Sequence, residues 1–288
     1  MLPQTIALLA AIAYAMTFVL SRRGLPYSTP LTITLMTLII QTLGLWIALL
    51  VATGIPRVAP PALLWFVIAG ILQSVIRQLT YVGIDKIGAA LSGPLRATVP
   101  FWSAAVAILF LGEHMTAGIA AGTVLVFAGI LLISWRAGES IKNYRPRHLA
   151  FPLLAALIGG VLYPVRRYAL TLSREPLFFG AVVGLVALLT VVCYLAVPGT
   201  RGKLVWNRKS LGYFFFTGVF ETAGLLLVLY ALSFGPVVVV APIVSTLPLW
   251  VVLGSTLLLR DLEKITMRIS LGAICVVLGT IAISLAKP

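Results

Sequence analysis

Three ionisable side chains sit inside otherwise apolar runs of this chain: Arg77, Arg96 and Glu221. At the centre of a helix in a low-dielectric medium each costs about 2.5–3.5 kcal/mol, so such residues are the first candidates for function. A guanidinium keeps its charge and offers paired hydrogen bonds to a carboxylate or phosphate. Helical spacing puts Gln73 and Arg77 on one face, and lines up Ser92, Arg96, Pro100 and Ser103 on another. The chemistry this suggests is an anion site built on Arg77 and Arg96, in which Glu221 either binds a substrate ammonium or exchanges a coupling proton. The competing reading is a permanent ion pair between Glu221 and one arginine that locks the fold. Trp102 and Tyr163 are candidate contacts for a substrate, as are Tyr14, Tyr81 and Trp250, although most aromatics in apolar helices pack or anchor. Arg166 follows Tyr163 closely and is a further candidate, with snorkelling to an interface as the alternative for it and Arg167.

The elements that must position these groups are helices in lipid. Of 288 residues, 61% are hydrophobic and 10% charged, far from the roughly one-quarter charged usage of soluble domains. A spanning helix needs about 20 mostly apolar residues. The sequence supplies ten such runs, at 3–22, 30–53, 61–83, 87–110, 115–135, 149–171, 176–197, 210–233, 236–259 and 266–286. The first resembles a secretory signal around Ala13-Tyr14-Ala15, but no basic segment precedes it and Arg22-Arg23 follow, so it reads as a helix. Cys193 and Cys275 lie inside apolar runs, and His114 and His148 are isolated, so no disulfide framework, metal site or cofactor is expected. The net charge of +14 resides mainly in the gaps between runs, where anionic lipid explains it better than nucleic acid does.

An internal repeat organises the chain. Pro94, Pro100 and Trp102 correspond to Pro242, Pro248 and Trp250 at an offset of 148 residues. Glu113, Thr116, Gly122, Gly129 and Ser134 correspond to Glu263, Thr266, Gly272, Gly279 and Ser284 at an offset of 150. Gly70 and Gln73 align with Gly218 and Glu221, and Arg96 with Val244, so the site is asymmetric in charge although the backbone repeats. The chain divides into a five-helix unit at 1–136, a linker at 137–147 and a second five-helix unit at 148–288. An odd number of spans per half makes the halves inverted, the architecture of many secondary transporters. Pro94, Pro100, Pro242 and Pro248 remove backbone hydrogen bonds and are candidate hinges, with static kinks as the alternative.

The duplicated five-helix unit, the prolines of spans four and nine, and the turn Leu111-Gly112-Glu113-His114-Met115-Thr116 before a glycine-rich helix resemble the EamA-type family of the drug/metabolite transporter superfamily. The second turn, Asp261 to Thr266, is similar without the glycine. The resemblance implies a central cavity lined by spans one, three, four, six, eight and nine, with spans five and ten peripheral. It also implies transport of amino acids, other metabolites or drugs, without fixing which.

The expected function is therefore secondary transport, by alternating access, of a small polar or anionic metabolite, an amino acid or a carboxylated or phosphorylated compound. Proton coupling through Glu221 is an open option. A flippase for a phosphate-bearing lipid carrier is the second reading, and no nucleophile, base or metal arrangement suggests an enzyme. The expected location is the inner (plasma) membrane, with lipids as surroundings and oligomeric state open. Arg22, Arg23, Lys86, Arg136, Lys142, Arg145 and Arg147 head a list of basic residues in the odd-numbered connections, against Arg57, Arg174 and Lys287 on the other side. This bias places both termini outside the cytoplasm, opposite to the pattern implied by the family.

Overall fold

The computed structural model describes residues 2–134, 145–197, 204–258 and 267–286. Most of the expected linker at 137–147, and the turn Asp261 to Thr266, lie outside them. The described residues form helices, with no strand among them: α1 (Leu2–Gly24), α2 (Pro30–Ala52), α3 (Pro60–Arg96), α4 (Val99–Leu111), α5 (Ala117–Ser134), α6 (Ala150–Leu172), α7 (Pro176–Ala196), α8 (Arg208–Phe234), α9 (Val237–Val244), α10 (Leu247–Leu258) and α11 (Met267–Leu285). Six segments are long and apolar enough to cross a membrane: Leu2–Tyr27, Pro30–Ala52, Pro60–Gly88, Pro146–Leu172, Pro176–Ala196 and Arg208–Phe234. Four more apolar stretches are shorter, at Val99–Leu111, Ala117–Leu132, Val237–Val251 and Ile274–Ile283. The chain is a multi-pass membrane protein.

Helix starts follow local chemistry. Thr29 caps α2, its hydroxyl accepting from the Thr32 N–H, with Pro30 in the first turn. Asn207 caps α8 by accepting from Lys209 N–H at 2.9 Å. Glu113 caps a helix of the other half: its carboxylate accepts from the Val237 and Val238 N–H groups at 2.9 and 3.0 Å, at the start of α9.

Spans four and nine, where the sequence places proline hinges or kinks, are interrupted rather than merely bent. Span four begins as the end of α3, past a kink at Gly88 with φ +75, stops at Arg96 and resumes as α4. Span nine is α9 and α10, interrupted at Ser245 and Thr246. The two breaks fall at equivalent positions, each just before the proline at 100 or 248. Pro100 and Pro248 have no N–H for the carbonyl four residues back, and short i,i+3 bonds bridge the gap: Phe101 N–H to Thr98 O at 3.1 Å and Leu249 N–H to Thr246 O at 3.0 Å.

The halves pack by exchange of partners. α1 lies against α8 and α3 against α6, while α2 meets α7 and α5 meets α11. In the last pair a Cβ built on Gly122 would lie 2.7 Å from Gly279 O, and one on Gly129 would lie 2.6 Å from Gly272 O. Since Gly122 is equivalent to Gly272 and Gly129 to Gly279, these equivalent helices cross antiparallel about a two-fold relation. Glycine is required there because the backbones touch.

Candidate functional site

A cavity of about 110 Å³ lies where the two halves meet. Its walls come from α1, α3, the start of α4, α6, α8 and the break between α9 and α10. These belong to the spans that the resemblance implied. Both helix breaks border it, through Arg96, Ala97 and Val99 on one side and Val244, Ser245 and Leu247 on the other. Irregular backbone at membrane depth is tolerated where it lines such a space.

The charged groups of the cavity are Arg77, Arg96, Arg166 and Glu221. Arg77, on α3, places Nη2 3.4 Å from Oε1 of Glu221 on α8. The other carboxylate oxygen accepts from the Tyr81 hydroxyl at 3.3 Å. Arg77 is 3% exposed and is held from behind by α2: Nη1 donates to Thr37 Oγ1 at 3.3 Å and Nη2 donates to Gln41 Oε1. The same Gln41 oxygen accepts from Gln73 Nε2 at 3.2 Å, and Gln73 Oε1 accepts from Arg166 Nη2. One hydrogen-bonded chain thus runs from Glu221 on α8 through α3 and α2 to Arg166 on α6. Arg167 stands apart and donates to Leu232 O at 2.6 Å, tying α6 to α8.

Arg96 is bound differently. Its Nη1 donates to the Ala155 carbonyl, and a Cβ built on Gly159 would sit 3.0 Å from that nitrogen. Gly159 therefore leaves the opening into which the guanidinium fits. Glu221 takes Arg77 rather than Arg96 as its ion-pair partner.

The cavity brings together Arg77, Arg96, Glu221, Gln73, Tyr163 and Arg166. It does not include Ser92 or Trp102. Ser92 is buried with its hydroxyl near Gly83, and Trp102 is 46% exposed, its Cβ crowding Gly160 on α6. Trp250 also stays outside, donating to Thr246 Oγ1 at 3.2 Å. Of the four prolines, Pro100 and Pro242 are buried, and Pro248 approaches Gly93 across the halves. These three do not line the cavity, and the Pro94 side chain lies outside the described residues.

One contribution escaped the sequence reading. Thr37 and Gln41 lie on α2, outside the cavity, and a threonine–glutamine stripe in an apolar run carries little signal; only the helical spacing of Thr34, Thr37 and Gln41 marks one face. Tyr14 and Tyr163 both line the cavity and are themselves repeat equivalents, 149 residues apart. Among the described residues no three His, Cys, Asp or Glu side chains gather as a metal site.

Comparison with known proteins gives three results. The model of the EamA-like transporter family matches residues 2–135 and 148–285. A solved structure described only as a crystal structure of a protein superposes with a TM-score of 0.74 at 16% identity, covering 99% of this chain and 95% of that one. A search of curated proteins returned no match.

Proposed function

This chain belongs to the EamA-like transporter family, within the drug/metabolite transporter superfamily, and we propose that it moves a small anionic or polar metabolite by alternating access of its two halves. The observation that carries this reading is the set of three arginines and one glutamate on one central cavity, with walls from both halves. Guanidinium groups fixed by Gln41, Gln73 and Ala155 are preorganised for a carboxylate or phosphate and lose little freedom when it arrives. The helix breaks before Pro100 and Pro248 supply matched flexing points beside the cavity, where bending one half and then the other would expose the site to each side in turn.

Glu221 bridges Arg77 and the Tyr81 hydroxyl. Protonation would break its ion pair, which suits it to couple proton movement to reorientation. The basic residues of the odd-numbered connections support a topology with both termini outside the cytoplasm of an inner membrane.

Purified protein in liposomes should accumulate radiolabelled organic acids or phosphate esters, and Glu221→Gln should flatten the pH dependence of uptake. Uptake confined to organic cations would remove the anion reading; uptake of anions with an unaltered pH profile in Glu221→Gln would remove the coupling role alone.

A further inference from the structure

Charge balance in the cavity narrows the substrate class. Arg77 and Glu221 neutralise each other at 3.4 Å. Arg96 and Arg166 instead donate to a backbone carbonyl and an amide oxygen, acceptors that carry no charge. Other acidic side chains among the described residues are placed elsewhere: Asp85 pairs with Lys86 at 3.0 Å, Glu113 caps α9, and Glu175 sits at the start of α7. The lining therefore holds two positive charges without a counter-charge.

Burial sharpens the imbalance. Arg166 is 5% exposed, and its buried Nε has no hydrogen-bond partner. A buried charge without a partner is costly, so a ligand that supplies the missing negative charge is favoured over one that does not. The repeat locates the deficit. Gln73 occupies the position that Glu221 holds in the other half, so the carboxylate that balances Arg77 has no counterpart against Arg166. Along α6 the Arg96 guanidinium lies beside Gly159, and Arg166 belongs to a point about 10 Å further on, with Tyr163 between.

Building on the proposal of an anion carrier, we infer that the substrate is a small organic dianion whose two negative charges are balanced by Arg96 and Arg166. A dicarboxylate and a phosphate monoester share this chemistry. A monocarboxylate leaves one arginine unbalanced, and a zwitterionic amino acid brings no net charge.

The test is binding to the purified full-length protein at pH 7.5 and constant ionic strength, with succinate and glycerol phosphate as dianions, acetate and dimethyl phosphate as monoanions, and ethylammonium as a cation. At least one dianion is expected to bind about tenfold or more tightly than either monoanion. Succinate against glycerol phosphate decides between the two sources. Gln73→Glu installs the missing carboxylate beside Arg166 and should reduce the dianion preference to about twofold or less. Arg96→Gln removes one positive charge and should do the same, which keeps the test intact if the first variant does not fold. Equal binding of monoanions and dianions to the parent, or a preference unchanged in the folded variants, overturns the two-charge inference and leaves the anion carrier standing. Binding of ethylammonium alone, or of no probe, overturns both.

Discussion

Arg77 and Glu221 form an ion pair that joins the two halves of the molecule, Nη2 to Oε1 at 3.4 Å, one from α3 and the other from the equivalent helix α8. Arg77 is almost fully buried, whereas the Glu221 side chain retains 18% exposure on the cavity side. The pair is thus at once a fastening between repeats and a wall of the cavity. Thr37, Gln41 and Tyr81 fix its geometry from the protein side.

Glu221→Gln should leave the Arg77 charge buried and uncompensated, lowering stability by about 3 kcal/mol. Adding Arg77→Met should recover much of that loss, since it removes the buried charge that Glu221→Gln leaves uncompensated. Thermal unfolding of the purified variants measures both. A single variant that melts with the parent would show that the fastening is energetically idle.

Gly129→Ala should destabilise by about 1–3 kcal/mol through overpacking, because the new Cβ would lie 2.6 Å from Gly272 O and 2.8 Å from a Val276 methyl. Gly44→Ala is the control. It meets nothing within 4 Å, and the gain in helix propensity, up to about 1 kcal/mol, should leave its unfolding temperature equal or higher. Equal loss in both variants would contradict the close α5–α11 crossing.

The contrast between these glycines shows what sequence can and cannot carry. The repeat in Gly122, Gly129, Gly272 and Gly279 was legible as spacing, and their mutual contacts follow once the helices cross antiparallel. Arg77, Arg96, Glu221 and Gln73 were legible because polar groups in apolar runs are conspicuous, and they do share one cavity. Trp102 repeats as faithfully as the prolines yet faces outward, since repetition marks fold rather than contact with a ligand. Arg166 could have snorkelled; its bond to Gln73 holds it inside. The Glu113 cap on α9 links residues more than a hundred positions apart, which no local pattern encodes.

Pro100→Ala and Pro248→Ala should each slow transport while leaving binding of the substrate within about twofold. Restoring an N–H at either position allows the bond to the Arg96 or Val244 carbonyl, stiffening the break that borders the cavity. Transport and binding measured on the same preparations separate the effects. Unchanged rates in both variants would make the breaks static.

A reporter that is active only in the cytoplasm, fused after Pro288, should be silent, and one active only outside should report. The expectation rests on the excess of Lys and Arg in the odd-numbered connections. The opposite pattern would mean that packing between halves outweighs the charge bias.

Arg96→Lys and Gly159→Ala together test whether the Arg96 guanidinium is a binding group. The lysine keeps the charge but loses the planar fork, so it should weaken binding of a carboxylate or phosphate about tenfold. Its unfolding temperature should stay near that of the parent, because Arg96 supports no ion pair among the described residues and its partner is the Ala155 carbonyl. Gly159→Ala leaves every charge in place. Its new Cβ would lie 3.0 Å from Arg96 Nη1, the far end of a flexible side chain, so the fold should absorb it by moving the guanidinium a few tenths of an ångström. Binding should then weaken with no loss of stability, in the same direction as for the lysine but by a smaller factor. A binding group displaced from its geometry gives that paired result; a guanidinium that only fills space would leave affinity unchanged in the alanine variant.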